Sequence, residues 1–529
     1  MVTFGTKGTE MIRSVLKSLL KSEAFPEPTS KVELIQTHVS WIFLTDTHAY
    51  KIKKPVDFGF LNFSTIDRRR FYCNEEVKYN RRLCPDIYEG VVELRKTPDG
   101  AAFHGDGPIL DYAVKMKRLP AARMLDQLVL KNEISPAEMS DVASVIAEFH
   151  RTAPTSPTIA EYGTLDRILF NWQENFDQTV PFEGTTLPAV EREFIRTWVH
   201  DFARENAELF HQRVAEGFIR ECDGDIHLEN ICLNNGTVYI FDCIEFNERF
   251  RCCDTAADVA FLLMDLDFHG RHDLAETVVD TYLKISGDQR MLLLIGFYQV
   301  YRAFVRGKVE SFRLNDPAIE QVERKKITAK AIKYFRLARG YIQRRSLKPT
   351  LFITCGFMGT GKSTLAAQLS QELGIPLFNS DAVRKSMAGL HPETPIPVPF
   401  GEGIYSHEKN EHTYRELLRL AETELAAGRS VIIDAAFMRK RDRDQFSACA
   451  ARNGANFVVL LVTCSEVENR RRLSERSTGG KSISDGRIEL LVRQRQEFQP
   501  PEKHEGLIIS LPAGNSSSFL TSMIYERIG

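Results

Sequence analysis

The stretch Gly356-Phe357-Met358-Gly359-Thr360-Gly361-Lys362-Ser363 fits the spacing G-x-x-x-x-G-K-[ST], and its flanks decide how the C-terminal third folds. Leu351-Phe352-Ile353-Thr354-Cys355 before it reads as a buried strand, and Lys362 to Leu373 after it reads as a helix. At average composition, about 0.02 chance matches are expected in a chain of this length. The glycines let backbone N–H groups wrap phosphate oxygens, and the helix N-terminus adds its positive end. Gly356, Gly359, Thr360, Gly361, Lys362, Ser363 and Thr364 are therefore the candidate nucleotide-binding residues. Lys362 is expected to reach the β/γ-phosphates, and Ser363 to offer its hydroxyl to Mg²⁺.

Outward from this loop, Val431-Ile432-Ile433 and Phe457 to Val462 are further apolar strands alternating with helical patterns, the signature of a parallel α/β sheet. Asp434 ends one of them, where a parallel strand delivers its last residue to the phosphate side, and is a candidate Mg²⁺ ligand through water. Asn379-Ser380-Asp381-Ala382-Val383-Arg384 follows at the distance of a second strand. From about Lys348 to Gly529 the chain resembles the small P-loop kinases that phosphorylate hydroxyl groups, among them polynucleotide 5′-hydroxyl kinases, gluconate-type sugar kinases and chloramphenicol phosphotransferase. The resemblance implies that Asp381 deprotonates or orients the acceptor hydroxyl and that Arg384 holds substrate phosphate. A carboxylate suits the first task and a guanidinium fork the second.

Glu466 to Arg476 brings Arg470, Arg471, Arg472 and Arg476 ahead of Ser477-Thr478-Gly479-Gly480. Such kinases carry a mobile lid there, whose arginines neutralise the transferring phosphoryl group. Arg472 and Arg476, four apart on one helical face, are the candidate pair. A solvated charge run is the competing reading. Residues 348–529 hold 23 basic and 21 acidic side chains, a balance that argues against a long nucleic-acid track.

A second constellation lies in the N-terminal part. Asp223-Gly224-Asp225-Ile226-His227-Leu228-Glu229-Asn230, with Asp242 twelve residues on, reproduces the D-x-x-x-x-N spacing of a kinase catalytic loop and its downstream metal-binding Asp. Asp225 is then the acceptor of the substrate hydroxyl proton, and Asn230 and Asp242 are metal ligands. Across about Lys31 to Arg345 the chain looks like the aminoglycoside phosphotransferase family, a branch of the protein-kinase-like fold, which implies ATP in a cleft between two lobes. That family usually writes His-Gly-Asp where this chain has Asp223-Gly224-Asp225. Its strand lysine falls in Ala49-Tyr50-Lys51-Ile52-Lys53. Lys51 fits best, Lys53 on the same face is the fallback, and Glu76 rather than Glu75 is the expected helical partner. No glycine-rich loop precedes them; Thr37-His38-Val39-Ser40 stands there.

The chain has 529 residues, with 69 basic and 71 acidic, a net charge of −2 and 43% hydrophobic residues. This suits about three folding units, excludes global disorder, and lacks the basic field that gathers nucleic acid nonspecifically. No apolar run approaches a membrane span, Met11 to Lys21 lacks the features of a secretory signal, and the ten cysteines contain no C-x-x-C, so a cytoplasmic protein with reduced thiols is expected. The fold expected is an α+β bilobal kinase-like domain over 1–346 followed by an α/β P-loop domain with a mainly parallel sheet over 347–529. The small lobe is placed at about 30–119 and the helical lobe at about 120–345, with the boundary after the basic helix Lys325 to Arg345, before Pro349. Function follows as ATP- and Mg²⁺-dependent phosphoryl transfer at two sites to hydroxyls of small molecules, with a nucleic-acid end as a further acceptor for the C-terminal domain. The alternative makes the N-terminal half a pseudokinase regulating a C-terminal ATPase or 5′-hydroxyl kinase. Acceptor identity and oligomeric state are not legible in the sequence.

Overall fold

The computed structural model describes residues 14–317, 319–390, 403–479 and 488–528. They form two compact units, Met1–Phe335 and Arg336–Gly529.

The first unit opens with a six-stranded sheet and one helix. In chain order these are β1 (Glu33–Gln36), β2 (Ser40–Leu44), β3 (His48–Lys53), α1 (Ile66–Asn80), β4 (Tyr88–Thr97), β5 (Gly100–Ala102) and β6 (Ile109–Lys117). The strands are antiparallel in the order β1-β2-β3-β6-β4-β5, and the β2–β3 hairpin sets Ile42 opposite Lys51. Period-two alternation divides β3 between two faces. Tyr50 and Ile52 enter an apolar cluster with Phe25, Phe43, Leu94, Phe103 and Ala113. Lys51 and Lys53 project to the opposite side and are buried there. Helix α1 begins at Thr65, whose side chain accepts from Arg68 N, and packs Cys73 and Val77 against Tyr88 and Val114.

The helical part follows with α2 (Pro136–Thr152), α3 (Leu165–Thr179), β7 (Ile219–Glu221), β8 (Ile231–Asn234), β9 (Thr237–Ile240), β10 (Cys252–Asp254), α4 (Thr255–Phe268), α5 (Met291–Arg313) and α6 (Gln321–Ser346), together with shorter elements. Ser135 and Glu138 close a reciprocal capping box at the start of α2. All fourteen residues of α4 are buried, so it is the central helix of this part. β8 and β9 make a hairpin through Asn235 and Gly236, both at positive φ, the two-residue turn that asparagine-glycine favours.

The second unit alternates strands and helices: β11 (Thr350–Cys355), α7 (Lys362–Leu373), β12 (Leu377–Asn379), α8 (Ser380–Met387), α9 (His407–Ala426), β13 (Val431–Asp434), α10 (Lys440–Arg452), β14 (Asn456–Thr463), α11 (Glu466–Gly479), α12 (Ile488–Glu497), β15 (Leu507–Pro512) and α13 (Ser517–Ile528). The five strands lie in the order β12-β13-β11-β14-β15 and every pair is parallel. Apolar clusters cover both faces, which is why these strands read as unbroken hydrophobic runs.

The division between units falls within α6 rather than after it. A Cβ on Gly340 would lie 1.5 Å from Glu372 O, and Arg344 Nη1 donates to Gly374 O at 2.5 Å, so the last turns of α6 pack as part of the second unit. The sequence places the border at the proline because a proline marks where a helix stops, not which core its last turns join. Among the described residues no helix is long and apolar enough to cross a membrane.

Candidate active sites

In the first unit, β3, α1 and the segment after β9 converge. Glu76, fully buried on α1, receives both β3 lysines: Lys51 Nζ lies 2.8 Å from its Oε1 and Lys53 Nζ 2.6 Å from its Oε2. The sequence treated Lys53 as a substitute for Lys51, whereas the strand's two-residue period brings both to one carboxylate. Burial alone would raise the Glu76 carboxyl, but the two ammonium groups bring it down to about 2. Lys51 also pairs with Asp242, and Lys53 with Glu245. Glu245 was not singled out from the sequence; three residues beyond Asp242, it carries no spacing signal that marks it.

Asp242 has φ +66°, a left-handed conformation that a non-glycine residue adopts only when its surroundings hold it. Its N–H donates to Tyr88 Oη at 3.2 Å, and the N–H of Cys243 donates to Asn80 Oδ1 at 2.9 Å.

The catalytic-loop candidates lie together. Asn230 Nδ2 donates to both the backbone O and Oδ2 of Asp225 at 3.1 Å, which turns its amide oxygen away from that carboxylate. Burial would raise the Asp225 carboxyl, but His227, Arg306 and Arg302 outweigh it and hold it below the usual carboxylate range. His227 stands 3.5 Å from Asp225 Oδ2, and its ring packs 5.2 Å from that of Phe261.

Asp223, at the position where an imidazole is expected, is 1% exposed. Burial, and then the charge of Asp258, push its carboxyl well above the ordinary range. Its Oδ1 accepts from Asp225 N at 3.1 Å. Asp258 in turn accepts from the N–H groups of Asp223 (3.0 Å) and Gly224 (2.9 Å), while His150 approaches its Oδ2 at 3.1 Å. Asp254 pairs with the buried Arg213. Asp258 thus braces the loop from behind.

In the second unit, the loop from Gly356 to Gly361 joins β11 to α7. Gly356, Gly359 and Gly361 have φ of +135°, +76° and +95°. A Cβ at Gly356 would lie 2.4 Å from Val462 O, and one at Gly359 would lie 2.5 Å from Asn469 Oδ1. Lys362 Nζ donates to Phe357 O at 2.7 Å, and Thr360 Oγ1 donates to the same oxygen at 2.9 Å. Ser363 and Thr364, in the first turn of α7, are exposed.

Asp434 is held on both oxygens: Thr354 Oγ1 donates to Oδ1 at 2.9 Å and Asn379 Nδ2 to Oδ2 at 2.6 Å. Asn379 also caps α8, accepting from Asp381 N and Ala382 N. Asp381 and Arg384 pair with each other, and Arg384 Nη2 donates to Asn410 Oδ1 at 3.0 Å.

Arg472 leans from α11 onto the loop, its Nη1 3.4 Å from Thr360 O and its Nε 2.6 Å from Glu468 Oε1. Arg476 lies on the same helix, and its side chain falls outside the described residues. Gln494 on α12, which the sequence did not single out, accepts from Met358 N at 3.0 Å. Asn379 could have been found as a cap-forming residue before a helix; Gln494 is distant in sequence and carries no signal of its own.

A family model described as an AAA domain matches residues 351–501. An uncharacterized protein of Mycobacterium tuberculosis is 30% identical over 469 residues, which cover 88% of this chain and 90% of that one. A shikimate kinase of Actinobacillus succinogenes is 26% identical over 171 residues, 32% of this chain and 89% of its own. Among solved structures, a choline/ethanolamine kinase family protein from Mesorhizobium loti aligns with TM-score 0.38 and 14% identity, covering 63% of this chain and 95% of its own.

Proposed function

The chain belongs to one family with the mycobacterial protein that matches it over nearly its whole length, and on that premise we propose that it is an ATP-dependent phosphotransferase with two nucleotide sites acting on hydroxyl groups of small molecules. What supports the reading is that each unit, taken by itself, carries a lysine and two aspartates at the positions such chemistry would use: Lys51, Asp242 and Asp225 in one unit, and Lys362, Asp434 and Asp381 in the other. The AAA-domain match and the likeness to a shikimate kinase support kinase chemistry for the second unit.

In the first unit Asp225, kept ionised by its cationic neighbours, accepts the proton of the acceptor hydroxyl. Lys51 is held by Glu76 in position for phosphate oxygens. The amide oxygen of Asn230 and the half-exposed carboxylate of Asp242 form a hard oxygen donor set that fits Mg²⁺. In the second unit the loop N–H groups and Lys362 bind phosphate, Asp381 orients the acceptor, and Arg472 neutralises charge on the transferred group. Ser363 and Asp434 would hold the metal ion there. When bound, Mg²⁺ supplies charge neutralisation between the phosphates at each site.

The test compares the intact protein with Lys362→Ala and Asp225→Asn, following phosphorylated products of a metabolite extract by mass spectrometry. Each substitution is expected to remove a different product. If Asp225→Asn leaves every product unchanged, the first unit does not catalyse and the reading fails for it. A labelled phosphate on a 5′-hydroxyl oligonucleotide, lost in Lys362→Ala, would extend the second site's acceptors to nucleic-acid ends.

A further inference from the structure

Lys53 and Glu245 form a second buried ion pair beside the first. Lys53 is 1% exposed, its Nζ shared between Glu76 and Glu245 and lying 4.7 Å from the centroid of the Phe63 ring. Ammonium and carboxylate groups therefore alternate along one chain of contacts, Asp242, Lys51, Glu76, Lys53, Glu245. Its two ends belong to the same short segment, 242–245.

Every residue of that segment is tethered. Asp242 N donates to Tyr88 Oη, Cys243 N to Asn80 Oδ1, and Ile244 N to Asp223 O at 3.2 Å. These three bonds fix the backbone. The fourth tether, the Glu245 carboxylate on Lys53, connects the segment through a second lysine to the glutamate that holds Lys51. When Asp242 turns to a cation and Lys51 to phosphate, the Lys51–Asp242 contact is given up, while Glu76, Lys53 and Glu245 remain joined. Removing Lys53 would leave Glu76 and Glu245 facing a single lysine in a buried site, where like charges repel strongly.

We infer that Lys53 and Glu245 are positioning residues that keep Glu76 and Lys51 in register with the metal-bearing Asp242. This rests on reading the first unit as a phosphotransferase.

The experiment uses the full chain carrying Lys362→Ala, so that nucleotide binding reports the first unit. ATP affinity is measured by calorimetry with and without Mg²⁺, before and after adding Lys53→Met, Lys53→Arg or Glu245→Gln. The ratio of the two affinities is expected to fall at least tenfold in Lys53→Met and Glu245→Gln and to be largely restored in Lys53→Arg. A merely structural role would lower the melting temperature without changing that ratio. If Lys53→Met does not fold, Glu245→Gln, which leaves the Lys53–Glu76 bond in place, decides. An unchanged ratio in Glu245→Gln alongside a lost one in Asp242→Asn overturns the inference alone. If the Lys362→Ala protein binds no Mg-ATP, the underlying reading of the first unit fails, and the inference with it.

Discussion

Asn379 and Asp434 stand opposite one another at the ends of adjacent parallel strands, joined by a hydrogen bond of 2.6 Å from Nδ2 to Oδ2. With Thr354 Oγ1 on its other oxygen, the Asp434 carboxylate is held at the phosphate end of the sheet before any nucleotide arrives. Replacement by asparagine keeps the shape and removes the charge. Asp434→Asn is therefore expected to lower turnover at the second site by about a hundredfold or more, with a higher Mg²⁺ requirement and a little-changed melting temperature. Steady-state kinetics across a Mg²⁺ titration checks this.

Gly359 meets α11 with no room for a side chain, since a Cβ would lie 2.5 Å from Asn469 Oδ1 and 3.0 Å from Leu473 Cγ. Its φ of +76° adds roughly 1–2 kcal/mol of backbone strain for any L-residue. Gly359→Ala should weaken ATP binding at the second site more than tenfold. Calorimetric titration in a Lys51→Met background, which removes the phosphate lysine of the first unit, measures it, and adding Asn469→Ala should recover only part of the loss, because the strain stays.

Burial, and then the charge of Asp258, raise the Asp223 carboxyl in the folded chain above its unfolded value. Its raised folded value gives stability that is present below its unfolded pKa, about 4, and is lost as pH rises above it. Asp223→Asn keeps an oxygen for Asp225 N and has no proton to lose. The melting temperature of the variant should therefore gain on that of the natural protein as pH is raised from 5 to 8. A gain that shrinks over that range would contradict the raised folded value.

Arg213 is buried between Asp254, 2.9 Å from its Nε, and Asp288, 2.6 Å from its Nη1. Arg213→Met would leave two buried carboxylates without their cation, a change worth about 3–5 kcal/mol. The unfolding transition of the first unit should move to markedly lower temperature in scanning calorimetry while that of the second unit stays in place.

Several features were legible because they are local. The G-x-x-x-x-G-K-S loop between a strand and a helix, the Asp225 to Asn230 spacing and the asparagine-glycine turn at 235–236 each need only a few neighbouring residues to be recognised. Alternation along β3 was also enough to place Lys51 and Lys53 on one face. Asn379, two residues before Asp381, could have been read as the cap of α8, since it accepts from the N–H groups of both Asp381 and Ala382.

By itself the sequence determined the class of each unit and the identity of its candidate lysines, carboxylates and glycines, since periodicity and motif spacing are written along the chain. Only the tertiary structure decided which charges meet. Glu76 divides between two lysines, Glu245 closes that network from a segment 192 positions away from Lys53, and burial together with the charge of Asp258 raises the Asp223 carboxyl. The physical reason is burial: a carboxylate's proton and partner depend on the water removed around it and the charges folded against it, and neither is carried by neighbours in sequence.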